Sequence, residues 1–183
     1  MKYVSLDLET TGLDPRTCQI LMISAVVEDT EKPDVLVRGL PHFTCFVSHK
    51  EYRGQAKALH MNGWILDLLG RAGSSFGNFP GIGRVFPQEM AVVGLEAFLD
   101  ENGGKLVLAG KNVAGFDIPF LVEAGFDRDR YAHHRTIDAG SVFIDWSKPT
   151  PPSLGEISGQ VVTHNAYDDA CLVIECLRRS YKR

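Results

Sequence analysis

The stretch Asp7-Leu8-Glu9-Thr10-Thr11-Gly12-Leu13-Asp14 decides how the rest of the chain is read. It continues Tyr3-Val4-Ser5-Leu6, a run of strand formers, and passes into Gly12 and Asp14-Pro15, which are turn residues. On a strand, side chains two apart share a face, so Asp7 and Glu9 stand side by side where the strand gives way to the turn. Carboxylates this close repel each other, and a divalent cation is the obvious agent to hold them together. Taken alone, the pair reads better as two solvated acids on an edge strand.

Working outward, Tyr3–Leu8 and Gln19–Glu28 read as an antiparallel hairpin across that turn, and His42–Ser48 as a third strand. Helical patterns cover Gln55–Leu69 and Pro87–Glu101. Lys105–Ala109 reads as a short buried strand, Ala114–Ala124 as a helix and Thr136–Asp138 as a short strand. Ala166–Tyr181 closes the chain as a helix with Ala166, Ala170, Val173, Ile174 and Leu177 on one face. Strands first and helices interleaved afterwards predict a mixed sheet covered by helices. No repeat or linker divides the 183 residues, so one domain, 1–183, is expected. Arg71–Pro87, broken by Gly73, Gly77, Pro80, Gly81 and Gly83, reads as a long surface loop. Its Gly81-Ile82-Gly83 lacks the third glycine of a dinucleotide fingerprint.

Composition narrows the class without naming a function. With 44% hydrophobic and 23% charged residues the chain is ordinary globular material. No apolar run is long enough to span a bilayer, and Met1-Lys2-Tyr3-Val4-Ser5 lacks the apolar core of a secretory signal. A soluble, cytoplasmic protein without a membrane partner is expected. Cys18, Cys45, Cys171 and Cys176 form no CxxC pair and read as reduced core thiols. A net charge of -4 does not advertise nucleic acid, although carboxylates neutralised by metals would hide their contribution.

Two further segments carry acids. Gly110-Lys111-Asn112-Val113-Ala114-Gly115-Phe116-Asp117 follows a buried strand and opens a helix. His164-Asn165-Ala166-Tyr167-Asp168-Asp169 opens the last helix. Separately, Asp117 reads as a helix cap and His164 as a structural histidine. Jointly, three acid-bearing segments each lie at the end of a regular element, where open α/β sheets place their active sites.

Together, Asp7-x-Glu9-Thr10-Thr11-Gly12-Leu13, Asn112-x-x-x-Phe116-Asp117 and His164-x-Ala166-x-x-Asp169 resemble the three motifs of the DEDDh exonucleases. Proofreading exonuclease subunits, ribonuclease T and oligoribonuclease belong to that family. The order agrees, and the likeness runs from residue 3 to about residue 177. The resemblance implies a ribonuclease H-like α/β fold with a five-stranded mixed sheet, its second strand antiparallel, flanked by helices. It also implies two Mg²⁺ or Mn²⁺ ions held by Asp7, Glu9, Asp117 and Asp169, with His164 as general base. Two such ions clamp the attacking and leaving oxygens at phosphorus, and oxygen ligands suit hard cations. The implied reaction removes nucleoside 5′-monophosphates from the free 3′ end of single-stranded RNA or DNA. Thr10, Thr11, Leu13, Asn112 and Phe116 are the implied substrate contacts, Leu13 and Phe116 having core packing as their alternative.

Lys50–Lys57 with Arg71 and Arg84 are candidate phosphate contacts or, equally, a solvated face. His60-Met61-Asn62, ahead of Trp64, is a candidate cleft wall. Two rivals remain: a catalytically silent nucleic-acid or protein-binding module on the same fold, and a ribonuclease H-like endonuclease core. Oligomeric state is left open, a homodimer being compatible.

Overall fold

The structure, a computed structural model, describes residues 1–73 and 76–181. Strands β1 (Lys2–Thr10), β2 (Ile20–Asp29) and β3 (His42–Ser48) come first, with a 3₁₀ turn at Val37–Gly39 between the last two. Helices α1 (Ala56–Met61) and α2 (Gly63–Ala72) follow, then β4 (Gly77–Phe79), β5 (Gly83–Pro87) and α3 (Gln88–Glu101). The second half contains β6 (Leu106–Gly110), α4 (Asp117–Glu123), α5 (Arg128–Tyr131), β7 (Ala132–Asp138), α6 (Ala139–Val142), α7 (Leu154–Ser158) and α8 (Ala166–Tyr181).

All seven strands join one mixed sheet in the order β4-β5-β3-β2-β1-β6-β7. The five expected strands are present as β3-β2-β1-β6-β7, with β2 antiparallel to both neighbours. The sheet is two strands wider because residues expected to form a loop build a hairpin. Gly77–Phe79 pairs antiparallel with Gly83–Val85, and β5 runs parallel to β3 through Phe46↔Val85 and Ser48↔Pro87. Gly81 and Gly83, at φ of 74° and 100°, make the turn, a conformation that glycine adopts without steric cost. The glycines that suggested a loop are therefore hairpin punctuation, and fully buried Val85 anchors the added edge.

β1 is central, and its alternation divides two cores. Val4, Leu6 and Leu8 pack with Ala91, Val92, Leu95 and Leu99 of α3 and with Ile118 and Leu121 of α4. On the opposite face Tyr3 packs with α8, and the Ser5 hydroxyl donates to the Ala170 carbonyl at 2.8 Å. Ile65, Leu68 and Leu69 of α2 cover the same sheet beside α8. Burying both faces is what a central strand between parallel and antiparallel neighbours requires.

The helical pattern expected over Gln55–Leu69 is broken at Asn62, which ends α1 and starts α2 at φ -94°, ψ 19°. The helix expected from Ala114 begins at Asp117, and the last strand extends back to Ala132. All four cysteines are free, and three are buried. No helix among the described residues is long and apolar enough to cross a membrane.

Candidate active site

The odd-numbered face of β1 carries Asp7 and Glu9 toward the start of α8. β6 pairs with β1 only as far as Ser5↔Ala109. Beyond that point the Leu8 amide turns to another acceptor, Asp117 Oδ1, at 3.0 Å. Asp117 is the first residue of α4 and is 2% exposed, so it is held against β1 and does not serve as a solvent-facing cap. Asp169 lies in the first turn of α8, buried, with long contacts of 3.4 and 3.5 Å from Thr163 to its Oδ1. Asn165 caps the helix by accepting from the amides of Tyr167 and Asp168.

Glu9, Asp169 and exposed His164 present ligand atoms within 4.8 Å of one another. A cleft of about 430 Å³ gathers Asp7, Glu9, Thr10, Leu13, Met61, Asn62, Lys111, Phe116, His164 and Asp169 among its walls. Asp117 stands behind this wall, joined to it through Leu8. Among the described residues, none of the four carboxylates enters an ion pair with the protein's own cations.

The electrostatics follow from that geometry. Burial, reinforced by the charges of Asp117, Glu9 and Asp169, holds the Asp7 carboxyl well above the usual carboxylate range. Burial pushes Glu9 to about 7, with Asp169 adding to the rise and a hydrogen bond from Asn62 opposing it. Asp117 is pushed to about 8, again mainly by burial, against the lowering effect of backbone amides. Asp169 is raised by burial, with the Thr163 amide and the His164 ring opposing. Four acids that disfavour their own charge thus lie close together, with the His164 ring beside Glu9 and Asp169.

The other motif residues divide into cleft and scaffold. Leu13 is 73% exposed on the cleft wall, and Phe116 joins it there with its ring 5.1 Å from Phe120. Thr10 is buried at the wall and donates to the Gly12 carbonyl at 2.7 Å. Thr11 is fully buried and clamps the turn, accepting from the Gln19 amide and donating to the Arg53 carbonyl. Asn112 is exposed outside this cleft. Its amide donates to Asp138 at 2.6 Å and its carbonyl receives the amides of Gly115 and Phe116. Asn112 and His164 are the described non-glycine residues with positive φ, 58° and 53°. Both motifs thus hold a backbone conformation that costs energy, as functional sites commonly do.

Of the basic residues considered, Lys57 lines the cleft while Arg53 pairs with Glu51 and Arg71 with Asp67 at the surface. Arg84 lies 5.2 Å over the Phe43 ring, away from the site. Met61 and Asn62 are at the wall, but Trp64 packs edge-on against Phe46. The wall also includes Lys111, Leu154 and Val162, which no motif position marks. Lys111 precedes Asn112 in the second motif. Leu154 starts α7 beneath the Ser153/Glu156 capping box, a legible S-x-x-E signal.

No protein-family model matches the chain, and no curated protein matches it. Solved structures do. E. coli exonuclease I in complex with a dA16 oligonucleotide superposes over 99% of this chain with a TM-score of 0.65 at 15% identity. The zinc-bound E. coli exonuclease I–ssDNA complex covers 100% at 0.64 and 15%. A moderately thermophilic exonuclease I from Methylocaldum szegediense covers 100% at 0.62 and 15%. The chain spans 41% of the length of each of these proteins and shares the fold of that part.

Proposed function

We propose that the chain is a metal-dependent 3′→5′ exonuclease acting on the free 3′ end of single-stranded RNA or DNA. The observation that carries this reading is the meeting of Asp7, Glu9 and Asp169 with His164 in one cleft, with Asp117 buried behind its wall and none of the four acids in an ion pair among the described residues. Asp7, Glu9, Asp117 and Asp169 would hold two Mg²⁺ or Mn²⁺ ions, and an all-oxygen donor set fits hard divalent cations. Such ions, when bound, supply the positive charge that stabilises in-line displacement at phosphorus.

The chain's own residues do the rest. His164, exposed at the cleft, takes the proton as a water oxygen bonds to the scissile phosphorus. The bond from phosphorus to the 3′-oxygen breaks, leaving a nucleoside 5′-monophosphate and a strand with a new 3′-hydroxyl, which takes up a proton. Leu13, Met61 and Phe116 give the terminal base apolar surface, with Thr10 beside them. Thr11 and Asn112 act through the backbone turns they hold. Lys57 and Lys111 offset phosphate charge at the cleft rim.

A second reading of one residue has its own support, because His164 lies close enough to Glu9 and Asp169 to be a ligand itself. The deciding experiment for the function is parallel digestion of 5′- and 3′-labelled RNA and DNA with Mg²⁺. Stepwise shortening from the 3′ end, arrest at a 3′-phosphate and an uncut circular strand are expected. Binding without shortening would establish the silent module instead, and a nicked circle the endonuclease.

A further inference from the structure

A second cavity adjoins the carboxylate cleft. It holds about 390 Å³, and its walls include Lys111, Asn112, Thr136, Asp138, Ser141 and Pro151. Lys111 is also a wall of the cleft, so one half-buried ammonium is common to both spaces. Its Nζ donates to the Pro152 carbonyl at 3.1 Å and enters no ion pair among the described residues. An ammonium has three donors, and most of this one's capacity is left for a ligand. Gly140 makes room for it, since a Cβ there would stand 2.7 Å from Nζ. The acid of the second cavity is already engaged. Asp138 Oδ1 accepts from the Ser141 amide at 2.8 Å and Oδ2 from the Asn112 amide at 2.6 Å.

Ser141 and Pro151 both stand on the wall of this cavity, so the chain between them leaves its edge and returns to it. Within that excursion Asp145-Trp146-Ser147-Lys148 closes a turn. The Lys148 amide donates to the Asp145 carbonyl at 2.9 Å, and the Ser147 amide and hydroxyl both donate to Asp145 Oδ1. The turn presents Trp146 to solvent at 87% exposure, which forgoes the burial that so large a ring would gain. Lys148 and Lys111 both act on the Glu156 carboxylate at the start of α7, so the turn and the cavity share a neighbourhood. A cation and a bare aromatic ring, next to a cleft that takes the end of a strand, suit single-stranded nucleic acid. Phosphates answer the first and base faces the second.

We propose that this cavity and Trp146 form a subsite for the nucleotides that precede the 3′-terminal one, Lys111 taking a linking phosphate and Trp146 stacking on a base. This rests on the exonuclease reading and deepens it, because the chain would then prefer strands long enough to reach the turn. Every base has a face to stack, so the preference is for length and not for sequence.

The test uses Asp169→Asn protein with Mg²⁺, which should hold strands without shortening them. It is titrated with a nucleoside 5′-monophosphate and with homopolymers of two, four and eight nucleotides. Affinity should rise with length. Adding Trp146→Ala should weaken the octamer about 5- to 100-fold, the worth of one stacked base, and Trp146→Phe should recover most of that. Lys111→Gln should reduce the slope of log affinity against log salt by about 0.7, one phosphate contact on a single strand. Trp146 is one of two tryptophans, so Trp64→Phe isolates its fluorescence, which the octamer should quench. The proposal is overturned by an octamer bound no tighter than the mononucleotide, or by a Trp146→Ala variant that binds it as well as its parent. A loss equally large on the mononucleotide, or unquenched Trp146 fluorescence, also overturns it. If the unsubstituted chain shortens no strand while the length dependence and the Trp146 loss hold, the exonuclease reading fails and the subsite stands. If it shortens strands and Trp146→Ala changes nothing, the subsite fails alone.

Discussion

The two ends of the β1–β2 ladder bury acid in opposite ways. At the end where Tyr3 pairs with Glu28, Glu28 is fully buried and Arg178 reaches it from α8, donating through Nε at 3.0 Å and Nη2 at 2.7 Å to one oxygen. Burial still raises the Glu28 carboxyl, but the guanidinium pulls against it. At the other end Asp7, Glu9, Asp117 and Asp169 crowd together, and among the described residues none of them is in an ion pair with an arginine or lysine. The first arrangement carries its own counter-charge on one oxygen, Oε2. The second has no such partner among the described residues, and on the proposed function it is where external cations would bind.

The sharpest break of that comparison is chemical. Removing divalent cations with EDTA should reduce hydrolysis to background, and Mg²⁺ or Mn²⁺ should restore it; full turnover in metal-free buffer would sink the reading. Asp169→Asn should be as damaging at saturating Mg²⁺ in a single-turnover assay. His164→Ala should slow the chemical step by about 10²–10⁴-fold, the usual yield of a general base. Its Mg²⁺ half-saturation decides between base and ligand: unchanged for a base, weakened for a ligand.

At the opposite end the loss is of stability. Arg178→Met leaves Glu28 buried and unpaired, which should cost about 3–5 kcal/mol in urea unfolding while kcat/KM of the folded fraction is kept. Smaller again is the pH dependence of the metal-free chain. The cleft acids titrate higher in the folded than in the unfolded protein, where carboxylates lie near 4. The folded state therefore holds extra protons between about pH 4 and the values of about 7 and 8 at Glu9 and Asp117. Stability is fully present below that window and falls as pH rises through it. Thermal melts should show the fall without metal, and Mg²⁺ should flatten it; an unchanged Tm from pH 5 to 8 would contradict the cluster. Least affected should be Asp168→Asn. Asp168 pairs with Arg38 at 2.8 Å on the exposed side of α8, and such pairs are worth about 0–1 kcal/mol. Near-wild-type activity is the expected reading, and a dead enzyme would mean the helix register is misassigned.

Local pattern carried the parts of the fold that local physics decides. β1, β2, β3, α3 and α8 announce themselves through apolar runs or a helical stripe, and β3 runs over the expected residues, His42–Ser48. The sequence pattern marks only Thr136–Asp138 of β7, because His133, His134 and Arg135 are polar and sit on an edge strand, where one side meets water. The α1–α2 break was hidden because Asn62 ends one helix through tertiary bonds to β1, which no periodicity records. For the site, spacing named the acids and His164, but it could not separate Thr10 and Leu13 on the wall from Thr11 and Asn112 in the scaffold. That division depends on which turn each residue ties, as with Thr11 between Gln19 and Arg53.

The added hairpin has a consequence for how copies of this chain behave in concentrated solution. The Ser48 end of β3 would otherwise leave a row of unpaired amides and carbonyls beside Phe46 and Val47, a template on which another copy could build. β5 occupies that row, and β4 becomes the rim: three residues, two of them Gly77 and Asn78, too short and too weakly strand-forming to recruit a neighbour. The opposite rim, β7, displays histidines and an arginine. A segment that looks like filler thus gives the sheet a short, weakly strand-forming rim in place of the longer edge of β3.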